Sequence, residues 1–350
     1  MKTYKAAVGI RGDCLYCPLP LSIDSYWNCL TDCHHCYFRR LNRTWGTDLR
    51  PADPDAVARK LENGLKNKHP KSALAWALKL KKTLRVGNKS DAFQDVEMKY
   101  GITKEILKIL IKNKWTFVIQ TKFLHNMMGY EDLLKKAHKE KLVTILPIIS
   151  PGLEGDWEIL ERKRTTPIKD RGKIIKEIIK RGWPIGVNGE PFIPGLHTIA
   201  DFSATLDFLK EIGIKNYNIY NLHLNDYVAK RFHSIGLDIE LIWKMNQDAQ
   251  WGKIQKQLCE IALEKDMILG CPDFVNTGWS WKEKVNTCCG INVPNPSRFN
   301  AHHWKHSMQK GKSPQYLFKK TWEGIGDQKV AKKILNGEKC EFYTIKDIVQ

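Results

Sequence analysis

The sequence predicts an α/β protein: a partial (β/α)6 TIM-like barrel with a C-terminal extension. Short apolar runs alternate with amphipathic stretches from about residue 80, and glycines stand where those stretches end. Past residue 225 the rhythm gives way to a longer helical pattern, then to a basic, aromatic segment. A doubly wound open sheet shares this periodicity and is the alternative architecture.

The first strand is expected at 20–27 and its helix at 55–65. Short apolar runs at 83–87, 115–120, 142–149, 184–188 and 217–222 read as further strands. Amphipathic helices at 103–112, 130–139, 168–181 and 199–212 separate them, giving about six β-α units. Thr103 reads as an N-cap, and Gly182 and Gly213 as helix-ending glycines. A long helix over 239–265 leads to an apolar run ending at Cys271. The expected organisation is an N-terminal segment (1–19) with a Cys-x-x-Cys pair, the barrel (20–225) and a helical, basic extension (226–350).

Hydrophobic residues make up 42 % of the chain, enough for a sizeable core. No apolar run approaches the roughly eighteen residues of a membrane span, and the first residues lack the apolar stretch of a signal peptide. A cytoplasmic protein without membrane contact is expected. The 57 Lys and Arg outweigh 38 Asp and Glu by +19. That charge points to a polyanionic partner, although Lys-rich helix faces produce the same total.

Ten cysteines without a secretion signal read as metal ligands before disulfides. Cys29-Leu-Thr-Asp-Cys33-His-His-Cys36-Tyr37 puts three thiols within eight residues, just after the first predicted strand. Three thiolates can wrap an iron–sulfur cluster and leave one iron open. Zinc needs a fourth ligand, which His34 or His35 supplies only with strained local geometry. Cys14 and Cys17 form a second chelating pair. With Cys271 and one of the adjacent Cys288 and Cys289 they make a tetrathiolate set for an auxiliary iron–sulfur cluster or a structural zinc. Buried free thiols are the alternative, and Cys259, inside a helical pattern, reads as one.

The Cys-x3-Cys-x2-Cys spacing followed by an aromatic resembles the radical S-adenosylmethionine superfamily. Other segments follow in motif order over roughly 20–225. They are Gly87-Asn88-Lys89-Ser90-Asp91, Glu97 with Gly101-Ile102-Thr103, Gln120-Thr121-Lys122, Ile148-Ile149-Ser150 and Pro191-Phe192-Ile193-Pro194-Gly195-Leu196. This series is similar to the spore photoproduct lyase-like branch. The resemblance implies a 4Fe–4S cluster on Cys29, Cys33 and Cys36 whose open iron chelates S-adenosylmethionine. One electron, from a reductant such as flavodoxin or ferredoxin, then splits that molecule to methionine and a 5′-deoxyadenosyl radical, which takes a substrate hydrogen. The resemblance also implies Ser90 and Asp91 at the methionine end, Lys122 on its carboxylate and Ser150 on the ribose. Without it, Ser90, Asp91 and Ser150 read as loop-capping residues and Lys122 as a solvated strand-end lysine. The best-known member of the branch repairs a thymine dimer in DNA with a cysteine just before the Ser-Asp pair. Asn88 and Lys89 stand there in this chain, which argues against dimer repair.

Residues 281–333 hold eleven Lys and Arg against three acids. Arg298, Lys305, Lys310, Lys312, Lys319 and Lys320 alternate there with Trp304, Tyr316, Phe318 and Trp322, a pattern suited to phosphate pairing and base stacking. An amphipathic segment covering the barrel mouth has the same composition. His302, His303 and His306 read as part of this surface. The expectation is a radical enzyme that modifies a base, or a group on a base, in a nucleic acid, with DNA favoured. The alternatives are a radical enzyme for a peptide or small metabolite, and a zinc-binding nucleic-acid module without catalysis.

Overall fold

The computed structural model describes residues 2–10, 19, 21–38, 48–70, 72–270 and 289–296. Strands β1 (Val8–Ile10), β2 (Leu21–Ile23), β3 (Leu84–Val86), β4 (Phe117–Thr121) and β5 (Val143–Pro147) form one sheet in that order. Strands β6 (Val187–Asn188), β7 (Asn216–Asn218) and β8 (Ile268–Gly270) form a second. β1 is antiparallel to β2, and every other pair is parallel. Parallel bridges Ile145–Ile185 and Ile148–Asn188 carry the order from β5 into β6. Spatial order thus follows chain order without the reversal of a doubly wound sheet. The fold is a partial barrel.

Each expected strand is present but shorter, and β6 keeps only two residues. The parallel series also runs past residue 225, because the apolar run before Cys271 supplies β8 beside β7. The helices are α1 (Pro54–Lys66), α2 (Ala73–Lys79), α3 (Glu97–Tyr100), α4 (Ile102–Lys112), α5 (Leu124–Met128) and α6 (Glu131–Lys139). They continue as α7 (Leu153–Ile159), α8 (Ile168–Lys180), α9 (Ile199–Glu211), α10 (Asp226–His233), α11 (Ile239–Met245) and α12 (Asp248–Glu264). The single helix expected over 239–265 is therefore two, divided at Asn246 and Gln247.

Gly182 and Gly213 follow α8 and α9 with φ of +70° and +88°, the left-handed conformation that glycine adopts without strain. Thr103 is not the N-cap of α4; Gly101 holds that position. Buried Glu97 does the capping instead, accepting the Thr103 and Lys104 amides at 2.9 and 3.0 Å, which suits a carboxylate at a helix N-terminus. α9 begins with a reciprocal Thr198–Asp201 capping box. Thr198→Ala should therefore cost about 1 kcal/mol. The check is a lower denaturation midpoint at unchanged denaturant dependence.

The two faces of each strand serve different layers. Leu84, Val86, Phe117, Ile119, Val143 and Ile145 pack outward against Ile106, Leu110, Leu134, Ile178 and Leu206 of the helices. Val118 and Leu146 point inward and meet Leu19, Cys289, Ile291 and Val293. Segment 289–296 is fixed there by Thr83 N–H to Asn295 O at 3.2 Å and Lys82 Nζ to Asn295 Oδ1 at 2.9 Å. Lys82 and Thr83 precede β3, so this segment fills the N-terminal end of the barrel and leaves the C-terminal end for a site. Among the described residues no helix is long and apolar enough to cross a membrane.

Candidate functional site

At the C-terminal ends of the strands lies a cavity of about 360 Å³. Cys29, Cys33 and Cys36 line it from the loop after β2, with Ser90 and Asp91 from the loop after β3 and Lys122 from the end of β4. Tyr37, Phe38, Ile148, Pro191 and Leu222 give the remaining wall its apolar character.

The cysteine loop is anchored from several directions. Asp32, between Cys29 and Cys33, has φ +58° and accepts from Arg231 Nη1 at 2.5 Å and from Arg162. Arg231 Nη2 also donates to the Asp32 carbonyl at 2.7 Å. The His34 amide donates to Leu160 O at 2.8 Å, and the Leu30 amide to Gln94 Oε1 at 2.8 Å. Tyr37 stacks on Phe38 and meets the tilted ring of His223, with ring centroids 4.4 and 4.6 Å apart. Asp32→Ala would leave Arg231 and Arg162 facing each other and release the loop. Partners of this supporting kind change metal affinity by about 10–100-fold. Asp32→Ala should therefore lower retained iron on desalting, read by iron assay, with the helical signal unchanged.

The loop after β3 hangs from the residue just past β2. Buried Asp24 Oδ1 accepts the amides of Asn88, Lys89 and Ser90 at 2.9, 2.6 and 3.3 Å. Gly87 enters this loop at φ +82°, and a Cβ there would lie 2.7 Å from the Gln120 carbonyl oxygen. Ser90 Oγ donates to Tyr26 O at 2.7 Å. Asp91 joins this loop to β4. Its carboxylate accepts from Thr121 Oγ1 at 2.6 Å, from the Phe93 amide at 3.0 Å and from the Lys122 amide at 2.8 Å. Burial raises the Asp91 carboxyl against these opposing bonds. Both side chains have the loop-building duties that the residues alone suggested, and both face the cavity.

Lys122 is buried, not a solvated strand-end lysine. Its Nζ lies 3.0 Å from Glu161 Oε1, 3.1 Å from His35 Nε2 and 3.9 Å from Cys33 Sγ. Glu161 is also paired with Arg171, and neither of their side chains is exposed to solvent. Arg171 reaches onward to Thr166 O at 2.7 Å and Ile148 O at 2.6 Å. Burial opposes the Lys122 charge, but Cys33 and Glu161 hold its pKa up at about 12. Burial also pushes the Cys33 thiol up to about 12, against the pull of Lys122. Burial and the Lys122 charge hold His35 well below its ordinary range.

Ser150, three residues beyond β5, is fully buried and does not line the cavity; its hydroxyl has no partner among the described residues. Cys14, Cys17, Cys271 and Cys288 lie outside the described residues, as does the aromatic, basic stretch 298–322. Cys289 is buried at the N-terminal end of the barrel, with Arg85 Nη2 3.7 Å from its sulfur. Asp32, Gln94, Glu161, Arg171 and Arg231 are the site residues that the sequence reading missed. An acid inside the cysteine motif was the one local signal among them.

Among the described residues, no three His, Cys, Asp or Glu side chains are gathered closely enough to hold one metal ion. A cubane requires less convergence, since each thiolate takes a different iron. Three thiols on one largely apolar wall, with a buried cation beside the central one, fit such a cluster. The donor set consists of soft ligands throughout.

No protein-family model matches the chain, and no curated protein matches it. Among solved structures, Streptococcus suis SuiB bound to S-adenosylmethionine is similar at 14 % identity and a TM-score of 0.49, over 76 % of this chain and 54 % of that one. Methylornithine synthase (PylB) is similar at 9 % identity and a TM-score of 0.45, over 84 % and 82 %. The cobalamin-dependent S-adenosylmethionine radical enzyme OxsB with aqua-cobalamin bound is similar at 11 % identity and 0.38, over 90 % and 45 %. The chain spans about half the length of the SuiB chain. At these scores the likenesses bear on neither substrate nor residue roles, and the fold assignment stands on the strand order itself.

Proposed function

We propose that the chain is a radical S-adenosylmethionine enzyme of the spore photoproduct lyase-like kind, with a 4Fe–4S cluster on Cys29, Cys33 and Cys36. It generates a 5′-deoxyadenosyl radical that takes hydrogen from a substrate. One observation carries this reading: the three thiols of one short motif meet on the wall of one cavity, at the end where such barrels keep their active sites. When bound, the cluster supplies the electron for reductive cleavage of S-adenosylmethionine, itself drawn from a carrier such as flavodoxin or ferredoxin.

The chain's own residues hold and shield. Asp32 and its arginines fix the thiol loop, and the rings and aliphatic groups of the wall exclude water from a reactive intermediate. Ser90 and Asp91 face the cavity where the resemblance assigns the methionine end of the ligand. Ser150 is the residue assigned to the ribose. Lys122 is assigned to the carboxylate, but its ammonium is engaged with Glu161, His35 and Cys33. Cys14, Cys17, Cys271 and one of Cys288 and Cys289 are proposed for a second cluster or a zinc ion.

For the substrate, the net charge of +19 supports a polyanion, and we favour a nucleic acid, DNA first. A base would have to leave its stack to enter the cavity. The test begins with anaerobic purification. Iron and sulfide should be present, and dithionite with S-adenosylmethionine should yield 5′-deoxyadenosine. Iron without that product, or no iron, overturns the reading. Binding to duplex DNA should weaken with salt, by a logarithmic slope of about −0.9 per phosphate contact. No binding at low salt overturns the nucleic-acid part alone.

A further inference from the structure

The three acceptors around Lys122 match the three N–H bonds of an ammonium. Glu161 Oε1 at 3.0 Å takes one, His35 Nε2 at 3.1 Å takes another, and the third faces Cys33 Sγ at 3.9 Å. A carboxylate ligand would have to displace one of them. The ammonium is also unable to swing away. Lys122 is 7 % exposed, its own amide is tied to Asp91 at 2.8 Å, and Glu161 is clamped on its far side by fully buried Arg171.

We infer that Lys122 is a positioning residue for the cluster: it holds a stationary positive charge against the Cys33 sulfur and so raises the reduction potential, rather than binding the carboxylate of S-adenosylmethionine. This rests on the reading that Cys33 ligates the cluster. Reduction adds one negative charge, and a cation beside a ligating sulfur in a water-poor site stabilises the reduced form. His35 completes the arrangement. It lies two residues beyond Cys33, and its Nε2, 3.1 Å from the ammonium, fixes the direction of one N–H.

The test uses the full chain, reconstituted anaerobically. Iron and sulfide in the wild type are read first, since their absence overturns the cluster itself. Midpoint potentials are then measured by electron paramagnetic resonance, without S-adenosylmethionine, for wild type, Lys122→Arg and Lys122→Met. Lys122→Met should lose at least tenfold in the equilibrium constant for reduction, about 59 mV for one electron. Lys122→Arg, which keeps the charge, should stay near the wild type, and Lys122→Met should keep its affinity for S-adenosylmethionine. A wild-type potential in Lys122→Met overturns the inference, as does a loss of ligand affinity at unchanged potential. If Lys122→Met does not fold, wild-type protein labelled with 15Nζ-lysine decides. Pulsed spectra of the reduced cluster should show a weakly coupled 15N that vanishes in Lys122→Arg, and its absence from the wild type overturns the inference.

Discussion

Glu161→Ala is expected to destabilise the protein by about 3–5 kcal/mol, the cost of leaving a buried charge without its partner. Arg171 and Lys122 would both lose the one carboxylate that lies between them, and neither can reach water in place. Glu161→Gln keeps the volume and part of the hydrogen bonding to Arg171, and should cost less. Chemical denaturation of the three proteins measures this directly. A difference under about 1 kcal/mol would mean that solvent reaches the cluster of charges after all. The same carboxyl predicts an acid limb. Burial pushes it up, but the Arg171 and Lys122 charges win and hold it well below the usual carboxylate range. Between the folded and unfolded ionisations the unfolded chain binds more protons, so stability rises with pH there. The contribution is complete above the unfolded value of about 4.3 and is lost as pH falls toward the folded one. Glu161→Ala should flatten that limb.

Replacing Cys29, Cys33 and Cys36 together by Ala should abolish 5′-deoxyadenosine formation and remove the iron bound at the cavity, while the circular dichroism of the barrel persists. The thiols stand on a loop outside the strands and contribute little to the core, so the loss would be chemical rather than structural. Retention of the product in the triple variant would disprove the assignment. Iron or zinc that survives the replacement belongs to the other cysteines.

How much of this was legible in the sequence depends on how far apart the interacting residues lie. Strand and helix periodicity is local, so the order of β-α units could be read directly. β8 was less visible because its three residues follow a long helical stretch that reads as the start of a different region. Thr103 looked like an N-cap by residue type, yet a glutamate six positions earlier does that work through a fold of the chain. The cysteine triad was legible because its spacing is short and its chemistry narrow. Its supports were not. Arg231 reaches Asp32 across 199 positions, and Lys122 reaches Cys33 across 89, distances over which no sequence pattern persists.

Asp24, Tyr26 and Gln94 give two rims of the cavity a common fate. Asp24 fastens three successive amides of the 88–90 stretch, Ser90 is bonded back to Tyr26, and Gln94 bridges Asn28 O at 3.0 Å and the Leu30 amide at 2.8 Å. The cysteine rim and the Ser90 rim are thereby laced into a single body whose shape is set before any guest arrives. Ordering them on binding costs little entropy, since their conformational freedom was surrendered during folding. The opposite lip, around Pro191 and Tyr220 to His223, is built separately, with Phe192 N–H on Tyr220 O at 2.8 Å and Asn246 Nδ2 on Leu222 O at 2.9 Å. Hydrogen exchange at Asn88, Lys89 and Ser90 would await a larger opening of the barrel.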